Sequence, residues 1–148
     1  MASDLEVEIY KQQRLGQDKY IYFLLAAVGA SIAFSLNQTK GLPLSPTQWP
    51  LGLAVVCWAG SFLMGCSRLG IIDLTLNANQ GLVRVQKGTH ELLEHPAEIP
   101  IASKVMIGQL ETLNTKASRR ARWQYRLLIV GAVFYIGWHV YEMYLRAL

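Results

Sequence analysis

The sequence predicts an all-α integral membrane protein with three transmembrane helices and a cytoplasmic helical extension between the second and the third. Apolar residues make up 52% of the 148 residues, and charged residues only 16%. The apolar residues are gathered into three long blocks, whereas a soluble core would space them at amphipathic intervals. A transmembrane helix needs about 20 mainly apolar residues, and each block approaches that length.

The first block, residues 20–36, is uncharged. Residues 1–19 before it are predicted to form a cytoplasmic helix, because Ser3 and Glu6 are spaced as in a capping box. This helix either lies on the membrane or runs straight into the first span. A cleaved signal peptide is the alternative, but residues 1–19 are net negative where a signal peptide needs positive charge. The first span is therefore predicted to be retained.

The second block, residues 49–67, is also uncharged and has Pro50 at a position typical of a helix start. Residues 37–48 join the two blocks with a glycine, two prolines and several polar residues, which is typical of a turn. The two spans are therefore predicted to form an antiparallel transmembrane hairpin over residues 20–67.

Residues 68–124 are predicted to be helical extensions that pack as an antiparallel pair. Apolar side chains recur there at helical spacing, namely Leu69, Ile72, Leu76 and Val83 in the first half and Met106, Leu110, Leu113, Ala117 and Ala121 in the second. Gly88, Pro96 and Pro100 mark the break between the halves. A competing interpretation takes residues 73–86 as a β-hairpin, because apolar residues alternate around an Asn-rich turn. The helical spacing favours the helix.

The third span falls within residues 125–148, and its apolar segment, residues 127–145, contains His139 and Glu142. At about 100° per residue, one sector of roughly 80° collects a polar stripe. The stripe comprises Ala132, Tyr135, His139, Glu142 and Arg146. One interpretation satisfies these side chains at a helix contact, with Glu142 paired to Arg146. In the other, stripes from several copies line a path whose permeability depends on the protonation of His139.

The distribution of lysine and arginine predicts the orientation. Of the 14 such residues, twelve fall in residues 1–19 and in residues 68–126, and the other two are Lys40 and Arg146. Because cationic loops resist translocation, the amino terminus and the middle segment are predicted to be cytoplasmic and the carboxyl terminus outside. A bacterial inner membrane is the expected location.

A basic run immediately precedes the third span and consists of Lys116, Arg119, Arg120, Arg122 and Arg126. Its simplest role is topological, as a stop on translocation. It is also suited to attract anionic lipid headgroups on the cytoplasmic face. Nucleic-acid binding is not expected, because the net charge is only +4 and no recognised nucleic-acid motif is present.

Small residues recur every four positions in the first two spans. These helix-packing candidates are Ala27, Ser31 and Ser35 in the first span and Cys57, Ser61 and Gly65 in the second. Small side chains at this spacing let helix backbones approach closely. The stripes are predicted either to pack the hairpin within one chain or to join copies.

Two patterns resemble chemical sites without fulfilling their requirements. His90 and His95 flank a segment that resembles a zinc-protease motif, but that motif needs its histidines four residues apart. Cys57 and Cys66 would point to nearly opposite sides of one helix, so they cannot form a disulfide with each other. No metal, no cofactor and no enzymatic activity are expected.

Two functional hypotheses remain. The first is a self-associating membrane protein, either a channel-like or a membrane-perturbing assembly, with a cytoplasmic sensing or binding module. The alternative is an accessory or assembly subunit of a larger membrane complex that contributes no chemistry of its own. In both, the partners are the lipid bilayer and other membrane helices.

Overall fold

The computed structural model describes residues 2–41, 45–89 and 95–147, and the regular structure in these ranges is helical. Helix α1 spans Ala2–Gln38, α2 spans Trp49–Gln86 and α3 spans Ile99–Ala147. Single 3-10 turns, Pro46–Gln48 and Pro96–Glu98, precede α2 and α3. All three helices are long and apolar enough to cross a membrane, judged by length and composition. The prediction of three such helices is confirmed.

Each long helix is continuous through the boundaries that the sequence suggested. Helix α1 runs without a break from Ala2 to Gln38, so the amino-terminal helix and the first apolar block are one element. The helix already includes Ser3, which makes the predicted capping position wrong. Helix α2 continues to Gln86, so the β-hairpin considered for residues 73–86 is also wrong.

The helix ends follow the turn chemistry of the sequence. Ser45 caps the turn before α2, where its side chain accepts a hydrogen bond from the backbone N–H of Thr47 at 3.3 Å. Gly41 and Gly88 adopt φ angles of 84° and 68°, a region that strains residues with a Cβ. The His90-to-Glu94 part of the zinc-like motif lies outside the described residues.

The chain divides into two compact units. The first, here called the three-helix unit, comprises residues 1–65 and 124–148; the second, called the arm, comprises residues 66–123. In the three-helix unit, Val28, Ala54 and Trp58 form a buried cluster with one contribution from α1 and two from α2. Partly buried side chains of α1 and α3 pack against it, namely Ile32, Leu128, Phe134 and Tyr135. The interior at this level is therefore filled by side chains.

The arm is an antiparallel helix pair. Contacts link Ser67 to Arg120, Gly81 to Met106 and Gly88 to Ile99, so positions on α2 and α3 change by equal steps in opposite directions. On each helix, one row of buried and half-buried positions alternates at spacings of four and three residues. This row comprises Ile71, Thr75, Ala78, Leu82 and Val85 on α2 and Ile99, Ser103, Met106, Leu110, Leu113, Ala117 and Arg120 on α3. This spacing is that of a coiled coil.

The predicted apolar faces of the arm agree with the structure on α3 and, with one exception, on α2. On α3, all five predicted residues, from Met106 to Ala121, are buried or half-buried. On α2, the predicted Leu69, Ile72 and Leu76 are half-buried, and the predicted Val83 is exposed. The prediction did not include the half-buried Thr75 and Ala78, because a polar and a small residue give little apolar signal.

Candidate functional site on the third helix

Two side chains of α2 bind the backbone of α3 inside the three-helix unit. The Ser61 hydroxyl donates to the Gln124 carbonyl at 2.8 Å, and Trp58 Nε1 donates to the Leu128 carbonyl at 3.3 Å. The two carbonyls are one helical turn apart, and so are the two donors. A carbonyl within a helix keeps a second lone pair, so these bonds add to the helical ones. They fix the register of α2 against α3.

Glycines let the helices approach at these points. A methyl group on Gly131 would lie 2.5 Å from Trp58 Nε1 and 3.1 Å from the Ala54 carbonyl oxygen. A methyl group on Gly65 would lie 2.7 Å from both Leu25 Cδ2 and Gln124 Nε2. All four distances are shorter than ordinary van der Waals contacts. Gly65 and Gly131 are therefore required for the observed packing.

Gln124 is a polar side chain enclosed where α1, α2 and α3 meet. It is 1% exposed, and neither Oε1 nor Nε2 has a hydrogen-bond partner among the described residues. Trp138 Nε1 is also buried and also has no hydrogen-bond partner among the described residues. An unsatisfied buried group costs on the order of 1–3 kcal/mol. The close packing around Gln124 is maintained despite this cost.

The small-residue stripes lie largely within the chain. Ser35, Ser61 and Gly65 are buried in the three-helix unit, and Ala27, Ser31 and Cys57 are half-buried. Ser31 and Ser35 each donate to the carbonyl one turn back on α1, at 2.9 and 2.8 Å. These positions are used in packing between the helices of one chain.

An aromatic cluster surrounds Tyr135 on α3. Its ring lies 5.6 Å from that of Trp58 and 6.0 Å from that of Trp138, measured between centroids. The His139 ring lies nearly parallel to the Tyr135 ring, with centroids 6.3 Å apart and an interplanar angle of 7°. The Tyr135 hydroxyl donates to Gln38 Oε1 at the end of α1, at 2.7 Å. Tyr135 therefore joins α3 to both other helices.

Of the five residues in the predicted polar stripe, three are half-buried and two are exposed. Tyr135 and Ala132 are half-buried, and Glu142 is half-buried and forms an ion pair with the exposed Arg146 at 3.4 Å. His139 is exposed, and its ring lies beside those of Tyr135 and Trp138. The pairing of Glu142 with Arg146 agrees with the interpretation in which the stripe is satisfied within one chain.

Helix α3 carries a second apolar face that the sequence reasoning missed. Its residues are 46% or more exposed, at spacings of four and three residues: Ile129, Val133, Ile136, Val140 and Met143. The face is apolar throughout and mostly β-branched. The spacing was visible in the sequence, but it was obscured because the block is apolar on nearly all sides.

The basic run lies on α3, on the amino-terminal side of this apolar face. Lys116, Arg119, Arg122 and Arg126 are exposed, whereas Arg120 is half-buried and donates to the Ser67 carbonyl at 3.1 Å and to the Ser67 hydroxyl. Arg120 thus takes part in packing the arm.

Metal-ligating and thiol groups are dispersed in the part of the chain that the structure describes. In residues 2–41, 45–89 and 95–147, no cluster of three or more His, Cys, Asp or Glu side chains has an arrangement that holds a metal. Cys57 is a half-buried free thiol and Cys66 an exposed one. Their positions within α2 place both in the apolar block.

The comparisons with known proteins returned no relatives. No protein-family model, no curated protein and no solved structure matches the chain.

The glycine contacts predict a difference between two substitutions on α3. Gly131→Leu is expected to destabilise the three-helix unit by about 3 kcal/mol or more, because it overpacks against Trp58 and Ala54. Gly137→Leu is the matched control, since a methyl group there has nothing within 4 Å. Thermal unfolding in mild detergent, followed by tryptophan fluorescence, measures both. Equal melting temperatures for the two variants would contradict the packing at Gly131.

Proposed function

We propose that the chain is an integral membrane protein that associates with copies of itself and presents the arm as a cytoplasmic binding module. The three long apolar helices support membrane insertion. The excess of cations in residues 1–19 and 68–126 supports a cytoplasmic amino terminus and arm, with the carboxyl terminus outside. The same asymmetry suits a bacterial inner membrane.

Self-association is supported above all by the exposed apolar face of α3. Residues spaced alternately by four and three positions place their side chains along one seam, and helices with such seams pack knobs into holes. The exposed fractions of Val133, Ile136 and Val140 are 64%, 60% and 60%. The packing face of α3 within the chain lies elsewhere, at Gln124, Gly131 and Trp138. A second copy is therefore able to dock without disturbing the fold.

A channel-like activity in this proposal belongs to an assembly of several copies. At the level of Val28, Ala54 and Trp58 the interior of one chain is filled by packed side chains. A path for solutes or ions would run between chains, where the exposed His139 is accessible to solvent or to a neighbouring copy. A membrane-perturbing assembly requires only the shared seam.

The arm suits a binding role because it is a coiled-coil pair joined through continuous helices to the apolar segments. Its exposed cations, Lys116, Arg119 and Arg122, are suited to anionic headgroups at the cytoplasmic surface, at about 1 kcal/mol for each. With Arg126, these residues form the proposed lipid contact.

The alternative is an accessory subunit whose exposed α3 face packs against a foreign membrane helix. The same apolar seam fits that partner. The two proposals differ in what accompanies the purified chain, because self-association gives a mass that is a multiple of one chain.

The orientation is tested with reporters. An alkaline phosphatase fused after Leu148 is expected to be active, because the carboxyl terminus is outside, and the same enzyme inserted at Gly88 is expected to be inactive. A green fluorescent protein at each site gives the complementary signal as a control. Activity of phosphatase at both sites would mean that α3 does not cross the membrane.

Self-association is tested by mass in mild detergent with two matched variants. The wild-type chain is expected to give a mass of two or more copies, and Val133→Trp is expected to reduce it towards one, because the indole disrupts knobs-into-holes packing. Val56→Trp is the control, since Val56 on α2 is 66% exposed, close to the 64% of Val133.

Two results would contradict the proposal. A wild-type mass of one chain would remove self-association, and a stoichiometric foreign protein in the preparation would favour the accessory role. Loss of assembly in both variants would show that the seam on α3 is not the specific interface.

A further inference from the structure

The arm has one uncharged outer face that is exposed in the described structure. It lies on α3, roughly 150° around the helix from the row that packs against α2. This outer arm face comprises Ile101, Val105, Gly108 and Thr112, all exposed and spaced by four, three and four residues. Ile101 is 70% exposed and Val105 is 56% exposed. Two β-branched apolar side chains are thus left uncovered on a segment outside the predicted spans.

The corresponding face of α2 shows that the fold of the arm does not require such a surface. The α2 face on the far side of its packing row carries exposed polar residues at the same spacings: Asp73, Asn77, Gln80 and Arg84. Charged and amide side chains are typical of a helix face in water. One helix of the pair therefore has a solvated outer face, and the other has a face suited to a partner.

Gly108 and Thr112 make the outer arm face suited to close approach by another helix. A methyl group on Gly108 would have nothing within 4 Å. No contact among the described residues thus calls for a glycine there, although glycine weakens a helix interior. The Thr112 hydroxyl donates to the Gly108 carbonyl at 2.9 Å, so covering Thr112 leaves no hydroxyl donor unsatisfied.

The sizes of the four residues reverse about one point, the midpoint of Val105 and Gly108. In an antiparallel pair of α3 helices, Val105 of one copy lies opposite Gly108 of the other. In the next layer, Ile101 lies opposite Thr112. Each layer then sets a larger side chain against a smaller one. This reciprocity, in which i contacts j and j contacts i, is the property of a two-fold interface.

Two opposite charges beside the outer arm face obey the same symmetry. Lys104 and Glu111 are exposed, and neither has an ion pair among the described residues. In the antiparallel pair, Lys104 of each copy lies beside Glu111 of the other. Charges that flank the apolar seam in this way select the partner and the orientation of a coiled coil. The face is therefore complementary to a second copy of itself in both size and charge.

A parallel pair of the same helices fits less well. Gly108 would then face Gly108 and leave a gap in the packing. Arg119, one heptad after Thr112, would face Arg119 of the other copy. In the antiparallel pair these arginines are roughly 38 Å apart along the axis, so the basic ends of the two arms do not repel each other.

A lipid surface also fits this face less well than a second copy does. Helices that lie in a membrane interface carry a broad band of large apolar side chains with cations on the polar face. The outer arm face has only two apolar side chains, and the carboxylate of Glu111 lies at its edge. Anionic headgroups would be repelled there, whereas Lys104 of a second copy would be attracted.

We propose that the outer arm face binds the same face of a second copy in the antiparallel orientation, and that the two copies belong to facing membranes. The inference rests on the proposed role of the arm as a cytoplasmic binding module, and it names the partner of that module. Each arm ends at Trp123, where the chain enters the three-helix unit. In the antiparallel pair these two ends lie at opposite ends of the bundle, roughly 50 Å apart.

Copies in two membranes whose cytoplasmic faces oppose each other meet this requirement directly. The contact has only four layers, so it depends on the effective concentration that many anchored arms on each membrane provide. The full chain in membranes is therefore the form in which the pairing is measured.

The test uses phosphatidylcholine vesicles that carry the full chain with the arm on the outer surface, checked by cleavage with external trypsin. Light scattering follows the clustering of the vesicles. The neutral lipid offers the basic run no anionic headgroup on a facing vesicle. The wild-type chain is expected to cluster the vesicles. Lys104→Glu and Glu111→Lys are each expected to slow clustering by roughly tenfold, because each sets like charges together at both pairs.

The double variant with Lys104→Glu and Glu111→Lys is expected to recover the wild-type rate, since it restores both ion pairs with their signs exchanged. In a parallel pair, Glu111 would lie beside Lys116 of the other copy, so the double variant would stay slow. Asp73→Lys is the control, because it reverses an exposed charge on the solvated face of α2. Its rate is expected to equal that of the wild type.

The outcomes separate this inference from the proposed self-association. Absence of clustering by the wild type would overturn the joining of facing membranes, and equal rates for Lys104→Glu and Asp73→Lys would overturn the assignment to the outer arm face. A double variant that stays slow would overturn the antiparallel orientation. Clustering by a chain whose mass in mild detergent is that of one copy would remove the self-association through Val133 and leave the pairing of the arms standing.

Discussion

The hydrogen bonds from Ser61 and Trp58 to the backbone of α3 are the constraint on which the rest of the three-helix unit depends. In a lipid environment, apolar side chains gain little from leaving lipid for protein, so the register of two apolar helices is set by close packing and polar contacts. Here two donors one turn apart meet two carbonyls one turn apart. Gly65 and Gly131 supply the space that these contacts need.

This register accounts for features that are unfavourable when taken one by one. It encloses the Gln124 amide without a partner among the described residues, and it sets cations of α3 beside the apolar part of α2. It also takes the last turns of α3 past the end of α1. Aligning the apolar segments would avoid these costs but would separate Ser61 and Trp58 from their acceptors. The apolar segments of α2 and α3, residues 49–67 and 127–145, are thus offset in depth as a consequence of specific polar contacts.

The sequence was sufficient for the number of helices, because uncharged apolar blocks of this length are typical of membrane spans, and for the break near Gly88. On α2 of the arm, it placed Val83 wrongly, and it did not identify the half-buried Thr75 and Ala78, since these residues give little apolar signal. The pairing of Tyr135 with Gln38 was also beyond it, because that contact depends on the relative depth of α1 and α3. The relative depth of the helices is determined by contacts between them, and it cannot be predicted from the composition of each helix alone.

The register of α2 against α3 is the central claim, and disulfide trapping measures it most directly. In a chain with Cys57→Ala and Cys66→Ala, the pair Gly60→Cys and Leu127→Cys is expected to form a disulfide in membranes, because the Leu127 side chain points at position 60, with its Cδ1 3.3 Å from a Cβ built on Gly60. The pair Gly60→Cys and Phe134→Cys, which would meet if the apolar segments were aligned, is expected to stay reduced. Crosslinking of the second pair in preference to the first would contradict the register and the depth offset that follows from it.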